Sequence, residues 1–181
     1  TYKMKQGQIA NVYVGKEDGT SGPIITGNHA ASGNGGGIYQ GKGTMVVYAG
    51  TVSNNDSRYG AGLYVNAGGT MSVKGGNITG NTATINGGGF YVDPGAAITT
   101  TIDCTKANTQ FMGNSAVLGG GAYIASGTLS IDGSGSNTVQ LNGNTASTSG
   151  GGVYVNAGSA VVTNTTIGTN TATAGNGGGI Y

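Results

Sequence analysis

Charged side chains are scarce in this sequence of 181 residues. Only 7% of the residues are Asp, Glu, Lys or Arg, against about 25% in an ordinary globular domain. The seven basic residues form no run, and a nucleic-acid interface needs clustered Lys and Arg to displace counterions from the phosphates. The composition therefore argues against nucleic acid as a partner.

Tryptophan is absent, proline occurs twice and cysteine once. The single cysteine, Cys104, excludes an internal disulfide, and we interpret it as a small apolar side chain in or near a core. No apolar run approaches the roughly 20 residues of a membrane-spanning helix, so we predict no membrane insertion of this segment. No secretory signal begins at Thr1, and we expect any export signal to lie outside this sequence.

Glycine, by contrast, is abundant, and its 40 residues recur at regular positions. A repeat of roughly 30 residues organises the chain. Each copy has an aliphatic residue or Phe three positions before an Asn, and ends on a Gly-Gly or Ala-Gly pair, an apolar residue and Tyr. Asn tolerates left-handed backbone angles, and stacked identical amides can hydrogen-bond to one another. We therefore predict a structural ladder of Asn28, Asn55, Asn81, Asn114, Asn144 and Asn170.

The repeat pattern predicts strands and excludes helical repeats, because Gly triplets and β-branched runs disfavour helices. Each copy holds three short strand patterns separated by Gly, Asn and Ser, for example 62–65, 70–73 and 77–79. We predict an all-β fold, a right-handed three-sided parallel β-helix (a β-solenoid) of about six coils. The right hand follows the crossover preference of parallel strands. Residues 1–181 are expected to form a single β-helix domain and, without a cap at the last coil, a fragment of a longer array.

A tyrosine closes each copy of the repeat. Strand residues alternate between faces, so Leu63 and Val65 share one face and Tyr64 takes the other. The aliphatic residues must fill the interior, and the tyrosines are predicted to point outward as a ladder with a spacing of about 4.8 Å. Such a row either binds sugars or proteins or stacks only on itself. The predicted column contains Tyr13, Tyr39, Tyr64, Tyr91, Tyr123, Tyr154 and Tyr181.

The paired signals around Asn and Gly-Gly resemble the repeats of the chlamydial polymorphic outer membrane proteins. The closest copy combines Phe111 and Asn114 with 120–122, and the resemblance covers residues 24–181. It implies the β-helical passenger region of an autotransporter, exposed on the cell surface and used in adhesion. Five of the six copies carry Ile, Val or Leu where that family favours Phe, and the membrane barrel of an autotransporter is not part of this sequence.

Carboxylates are too few and too scattered to indicate catalysis. A polysaccharide-cleaving site needs two acids about 5 to 9.5 Å apart, whereas we expect the six acids of this chain to lie in different columns of different coils. His29, the only histidine, falls in a solvated column and lacks partner ligands for zinc. Asp56 and Arg58 are expected to pair weakly at the surface. We predict no catalytic, cofactor-binding or metal-binding residue.

These observations favour a bacterial cell-surface protein: an extracellular β-helical stalk or adhesin passenger that is not an enzyme. Its expected partners are a protein or glycan on a host or neighbouring cell, and other copies of itself, joined end to end into filaments through the coil edges. One alternative is a polysaccharide-binding or polysaccharide-degrading β-helix. A minor alternative is an ice-binding solenoid, because 82–84 and 171–173 place threonines in rows, although other coils break those rows.

Overall fold

The computed structural model describes residues 11–95 and 99–181, and within them the chain forms short strands and no helix. In chain order the strands are β1 (Val12–Val14), β2 (Ile24–Thr26), β3 (His29–Asn34), β4 (Ile38–Gln40), β5 (Gly43–Val47), β6 (Thr51–Ser53), β7 (Asp56–Tyr59), β8 (Leu63–Val65), β9 (Gly69–Val73), β10 (Gly76–Thr79), β11 (Thr82–Asn86), β12 (Phe90–Val92), β13 (Thr99–Asp103), β14 (Thr109–Met112), β15 (Ser115–Leu118), β16 (Ala122–Ile124), β17 (Thr128–Asp132), β18 (Val139–Asn142), β19 (Thr145–Ser149), β20 (Val153–Val155), β21 (Ser159–Thr163), β22 (Thr165–Gly168) and β23 (Thr171–Ala172).

The strands stack into four parallel sheets. Sheet A contains β1, β5, β9, β13, β17 and β21, and sheet B contains β2, β6, β10, β14, β18 and β22. Sheet C contains β3, β7, β11, β15, β19 and β23, and sheet D contains β4, β8, β12, β16 and β20. Each strand pairs with the strand four elements further along, so one coil uses four strands. The predicted all-β parallel β-helix is confirmed. Its fourth strand, in sheet C, occupies the variable stretch between the repeated Asn and the Gly pair.

The interior of the solenoid is filled by apolar columns that stay in register from coil to coil. Bulky residues in one sheet face smaller ones in another: Phe111 in sheet B shares its coil with Ala122 in sheet D, and both are fully buried. The Phe111 ring also packs edge-on against Phe90 of the preceding coil, with ring centroids 5.3 Å apart. When a larger side chain in one sheet is balanced by a smaller one in another, coils of different sequence can fill an interior of the same size. The sheet B column is Ile25, Val52, Ile78, Phe111, Leu141 and Ile167.

The corner between sheets B and C holds the predicted asparagine ladder. From Asn55 to Asn144 its members are at most 1% exposed. The Oδ1 of Asn114 accepts two hydrogen bonds from Asn81, one from its backbone N–H and one from its Nδ2, both at 3.0 Å. The Nδ2 of Asn114 donates forward to the Oδ1 of Asn144 at 3.0 Å and backward to the carbonyl oxygen of Ile78 at 2.9 Å. Every donor and acceptor of the amide is used, and the same pattern links all six predicted asparagines.

The residue before each ladder asparagine, and not the asparagine itself, adopts the left-handed backbone conformation. Glycine fills four of these six positions, with φ between 63° and 68°. Asn54 and Thr169 fill the other two, with φ of 52° and 51°. The expectation that the ladder asparagines would take up left-handed angles is therefore wrong. Their role is to saturate the polar groups of a buried corner, which needs the amide and not an unusual backbone.

Replacing Asn114 by Ala should lower the free energy of unfolding by about 3 kcal/mol, because it deletes four buried hydrogen bonds and leaves their partners unsatisfied. Those partners belong to Asn81, Ile78 and Asn144. The measurement is urea denaturation followed by circular dichroism. The matched control is Thr82→Ala, at an exposed position of the adjacent sheet C, which should cost no more than about 0.5 kcal/mol. Equal losses at the two positions would contradict the structural role of the ladder.

Candidate functional site

Tyrosines form a continuous stack along the outer side of sheet D, away from the apolar interior. Neighbouring rings are nearly parallel, with interplanar angles of 1° to 20° and centroids 4.9 to 5.2 Å apart. The stack is held at the spacing of the parallel strands, since each tyrosine from Tyr39 to Tyr154 is the register partner of the next. Tyr181 follows through the isolated bridge between Val153 and Ile180. Its members are Tyr39, Tyr64, Tyr91, Tyr123, Tyr154 and Tyr181.

Tyr13 does not belong to this stack, and its assignment to the column is wrong. Its strand β1 lies in sheet A, where Tyr13 is the register partner of Val46. The Tyr13 ring lies beside Tyr48, with centroids 6.4 Å apart. An apolar-Tyr-apolar pattern marks any strand that carries an outward tyrosine, so it does not distinguish sheet A from sheet D. Register is decided by strand pairing, including the hydrogen bond from the Tyr48 N–H to the Val14 carbonyl oxygen.

The centre of the stack is covered. Tyr64, Tyr91 and Tyr123 are only 4 to 8% exposed, whereas the outermost rings of Tyr39 and Tyr181 are about half exposed. Side chains at the ends of sheet C strands, among them Tyr59 and Leu118, pack against the stack and form a second apolar cluster with it. The predicted external ladder is therefore available to a ligand only at its two ends. Along its length the stack acts as a small core of its own.

Burial changes the acidity of the central phenols. It raises the pKa of Tyr64 and of Tyr91 well above the ordinary value for tyrosine. For Tyr64 the pKa is raised further by the Asp93 carboxylate, which accepts a hydrogen bond from the phenol oxygen and repels the phenolate. Asp93 thus caps the Tyr64 phenol, and both phenols stay protonated at physiological pH.

Asp103 and Asp132 are register partners on adjacent strands of sheet A, so the expectation that the acids would lie in different columns is wrong for this pair. Asp103 lies between Asn81 and Asn114, the most widely spaced pair of ladder asparagines. Because this coil contains extra residues, the distance of Asp103 from the repeated motifs does not predict which residue it pairs with. Asp103 accepts hydrogen bonds from both the backbone and the hydroxyl of Thr105. Hydrogen bonds from Thr163 and Ser134 lower the pKa of Asp132. A general acid needs the opposite shift, so this geometry fits turn stabilisation better than hydrolysis.

Other polar groups singled out in the sequence form only isolated pairs. His29 and Asp56 are register partners in sheet C, and their exposed side chains contact each other through the His29 Nδ1 and an Asp56 carboxylate oxygen. Arg58 lies over the Tyr59 ring, 5.7 Å from its centroid, and the predicted pair between Asp56 and Arg58 is not formed.

Cys104 is buried in the core, as predicted, and burial raises its thiol pKa. In residues 11–95 and 99–181 no cluster of three His, Cys, Asp or Glu could hold a metal ion.

A groove of about 480 Å³ runs along the corner between sheets A and B. One part of its lining is the corner loop, residues 15–22, which folds back on itself through a 2.8 Å hydrogen bond from the Lys16 N–H to the Ser21 carbonyl oxygen. The rest comes from three consecutive coils, including Thr51, Asn77 and Gln110 on sheet B. On the sheet A side of the loop, a second depression of about 410 Å³ is lined by Tyr13, Gly15, Glu17 and Tyr48.

The groove was missed by the sequence analysis, although part of its signal was present. Thr51, Asn77 and Gln110 each stand four residues before a ladder asparagine, so aligning the repeats on those asparagines would have placed them in one column. The corner loop left no such signal. Its two ends at Gly15 and Gly22 lie against Ala49, whereas its tip at Gly19 lies against Lys106, two coils further along. The repeat does not predict a contact between coils so far apart in the sequence.

Comparisons with protein-family models, with curated proteins and with solved structures find no match for this chain. The resemblance to the chlamydial repeats therefore stays a prediction that rests on the Asn and Gly-Gly motifs alone. Within the part of the chain that the structure describes, no helix is long and apolar enough to cross a membrane.

The raised phenol pKa values predict alkaline destabilisation. The folded-state pKa values of Tyr64 and Tyr91 lie above the unfolded value of roughly 10, so their contribution to stability is complete below that pH and is lost as the pH rises above it. Urea denaturation at increasing pH should show this decline, and it should be shallower in Tyr64→Phe and in Tyr91→Phe. Tyr13→Phe, outside the stack, is the control and should keep the parent slope. Identical slopes in all four proteins would contradict the neutral buried stack.

Proposed function

We propose that this chain is a structural and adhesive β-helix of the cell surface, an extracellular stalk or adhesin passenger that presents its outer faces to other molecules. The observation that carries the proposal is that two ladders, one of asparagines and one of tyrosines, continue through the coils without interruption. Such ladders make the solenoid a rod of regular cross-section. The motif resemblance to autotransporter passengers supports a surface location.

The coil edges also support end-to-end association of copies. The bonds to the asparagine Oδ1 atoms run in one direction, with the backbone N–H and Nδ2 of each ladder asparagine donating to the Oδ1 of the next. Among the described residues, the Asn170 end of the ladder therefore offers donors and the Asn28 end offers an acceptor, and a coil of a second copy would complement either. Stacking of Tyr39 of one copy on Tyr181 of another would continue the tyrosine stack at its half-exposed ends. A head-to-tail contact of this kind does not close and gives a filament.

Light scattering on the 181-residue protein should show growth of the particles with concentration. The variant Tyr39→Lys should weaken this growth, because a cation replaces the ring on which the next copy stacks. The matched control is Met112→Lys, a change at an exposed apolar residue in the middle of the solenoid, which should associate like the parent. Association should be nearly independent of salt, because few charges are present to be screened. A chain that stays monomeric at high concentration would rule out the filament.

The alternative function, cleavage of a polysaccharide, has one specific observation in its favour. Asp103 and Asp132 stand opposite each other on adjacent strands, and the Lys74 ammonium lies 3.8 Å from the Asp103 carboxylate. Two neighbouring carboxylates are the kind of groups that such an enzyme uses. Against this, both carboxylates accept hydrogen bonds from nearby turns. The lowered pKa of Asp132 also makes it a poor general acid.

Incubation with neutral and acidic polysaccharides decides between the scaffold and the enzyme. The scaffold proposal expects no release of reducing ends or unsaturated products. Turnover that is present in the parent protein and lost in Asp132→Asn would replace the proposal by the enzyme. The matched control is Asp56→Asn, an exposed acid on sheet C, which would leave a genuine activity at Asp132 unchanged.

A further inference from the structure

The groove beside the corner loop crosses three coils in the direction of the solenoid axis. Thr51, Asn77 and Gln110 line it from strands β6, β10 and β14. Asn77 is the register partner of both Thr51 and Gln110, so the three side chains form a row with a repeat of about 4.8 Å. The groove is therefore suited to an extended ligand that lies along the axis and repeats at a similar interval.

The polar side-chain groups of this row have no partner among the residues that the structure describes. The side chains of Thr51, Asn77 and Gln110 make no hydrogen bond to other residues of the described chain. Several other outward columns behave differently, because their hydroxyls bond across coils, as Ser53 does to Thr26 at 3.1 Å and Thr70 to Thr44 at 3.0 Å. An amide offers two donors and an acceptor at one site. The row thus presents unpaired donors and acceptors together, as a ligand rich in hydroxyl groups requires.

No charged side chain lines the groove. The nearest acid of the corner loop, Asp18, is turned into its own turn and accepts hydrogen bonds from the backbone and hydroxyl of Thr20. Small residues, among them Ala49, Gly50 and Gly76, make up much of the remaining lining. Protein and peptide interfaces depend on buried Trp, Tyr and Arg anchors that fill well-packed pockets, whereas the apolar side chains that line this groove are only alanines. These features favour a neutral glycan over a peptide or a polyanion.

We infer that the groove between the corner loop and sheet B binds a neutral polysaccharide chain, with the Thr51, Asn77 and Gln110 side chains hydrogen-bonding to the hydroxyl groups of successive sugar units. The inference deepens the proposed adhesive function, on which it rests, by naming a ligand class and a place.

Affinity electrophoresis in native gels tests the inference, with soluble β-glucan, xyloglucan, galactomannan or dextran cast into the gel and alginate as the anionic comparison. At least one neutral polymer should retard the protein, and alginate should not. The double variant Asn77→Ala/Gln110→Ala should bind about tenfold more weakly, since it loses two hydrogen-bonding side chains. The double variant Thr82→Ala/Thr84→Ala, with two exposed hydroxyls removed from sheet C, is the matched control and should bind like the parent. Thermal unfolding confirms that both variants fold.

Three results would overturn the inference: no retardation by any of the four neutral polymers, unchanged retardation of the Asn77/Gln110 variant, or stronger retardation by alginate. None of these results tests the proposed end-to-end filament, which is measured separately by light scattering. Conversely, a monomeric protein that still binds a neutral polymer through Asn77 and Gln110 would keep the glycan site and remove only end-to-end assembly. Cleavage of the retarding polymer would keep the site and replace the scaffold proposal.

Discussion

The buried asparagine amide is the constraint on which the rest of the molecule depends. A sharp corner between sheets B and C brings backbone N–H and C=O groups into the interior, where leaving them without partners would cost far more than a hydrogen bond gains. The ladder satisfies these groups only if each coil lies directly above the previous one, at the spacing of parallel strands. It therefore sets the register of sheets B and C. Residues inserted into a coil must then leave the corner unchanged and extend elsewhere, as the chain does between Asn81 and Asn114.

The tyrosine stack follows from the same spacing. Once the corner fixes the coils, every tyrosine of sheet D stands at the same height relative to its neighbours, and the rings stack at about 5 Å. The glycine at the start of each Gly triplet allows this, because in five coils a Cβ there would come within 3.0 Å of the Cβ of a stacked tyrosine. These glycines also have φ near 65°, for example 69° at Gly87, a conformation that favours glycine. The stack and the triplet are therefore one structural unit.

The repeated residues of this molecule form the interior and the two ladders. Any binding surface must therefore be built from the positions that vary between coils. The interior and the two ladders use the same residue types in each coil, and the outer faces of sheets A, B and C differ between coils. This division suits a rod that must hold its shape while it presents a surface. The groove at the corner of sheets A and B illustrates it, because its amides come from a column that faces outward and has no role in the ladder.

Part of this structure could be derived from the sequence. The six asparagines, the inward aliphatic columns and the parallel β-helix follow from periodicity, since residues that recur once per coil must meet in space when coils stack. The apolar-Tyr-apolar pattern of Tyr13 matched sheet D equally well, and only its pairing with β5 placed it in sheet A. The covering of Tyr91 by Tyr59, the alignment of Asp103 with Asp132 and the approach of the corner loop to Lys106 were likewise decided by the tertiary structure. They join residues that occupy different positions in the repeat, or coils of different length, so no period in the sequence connects them.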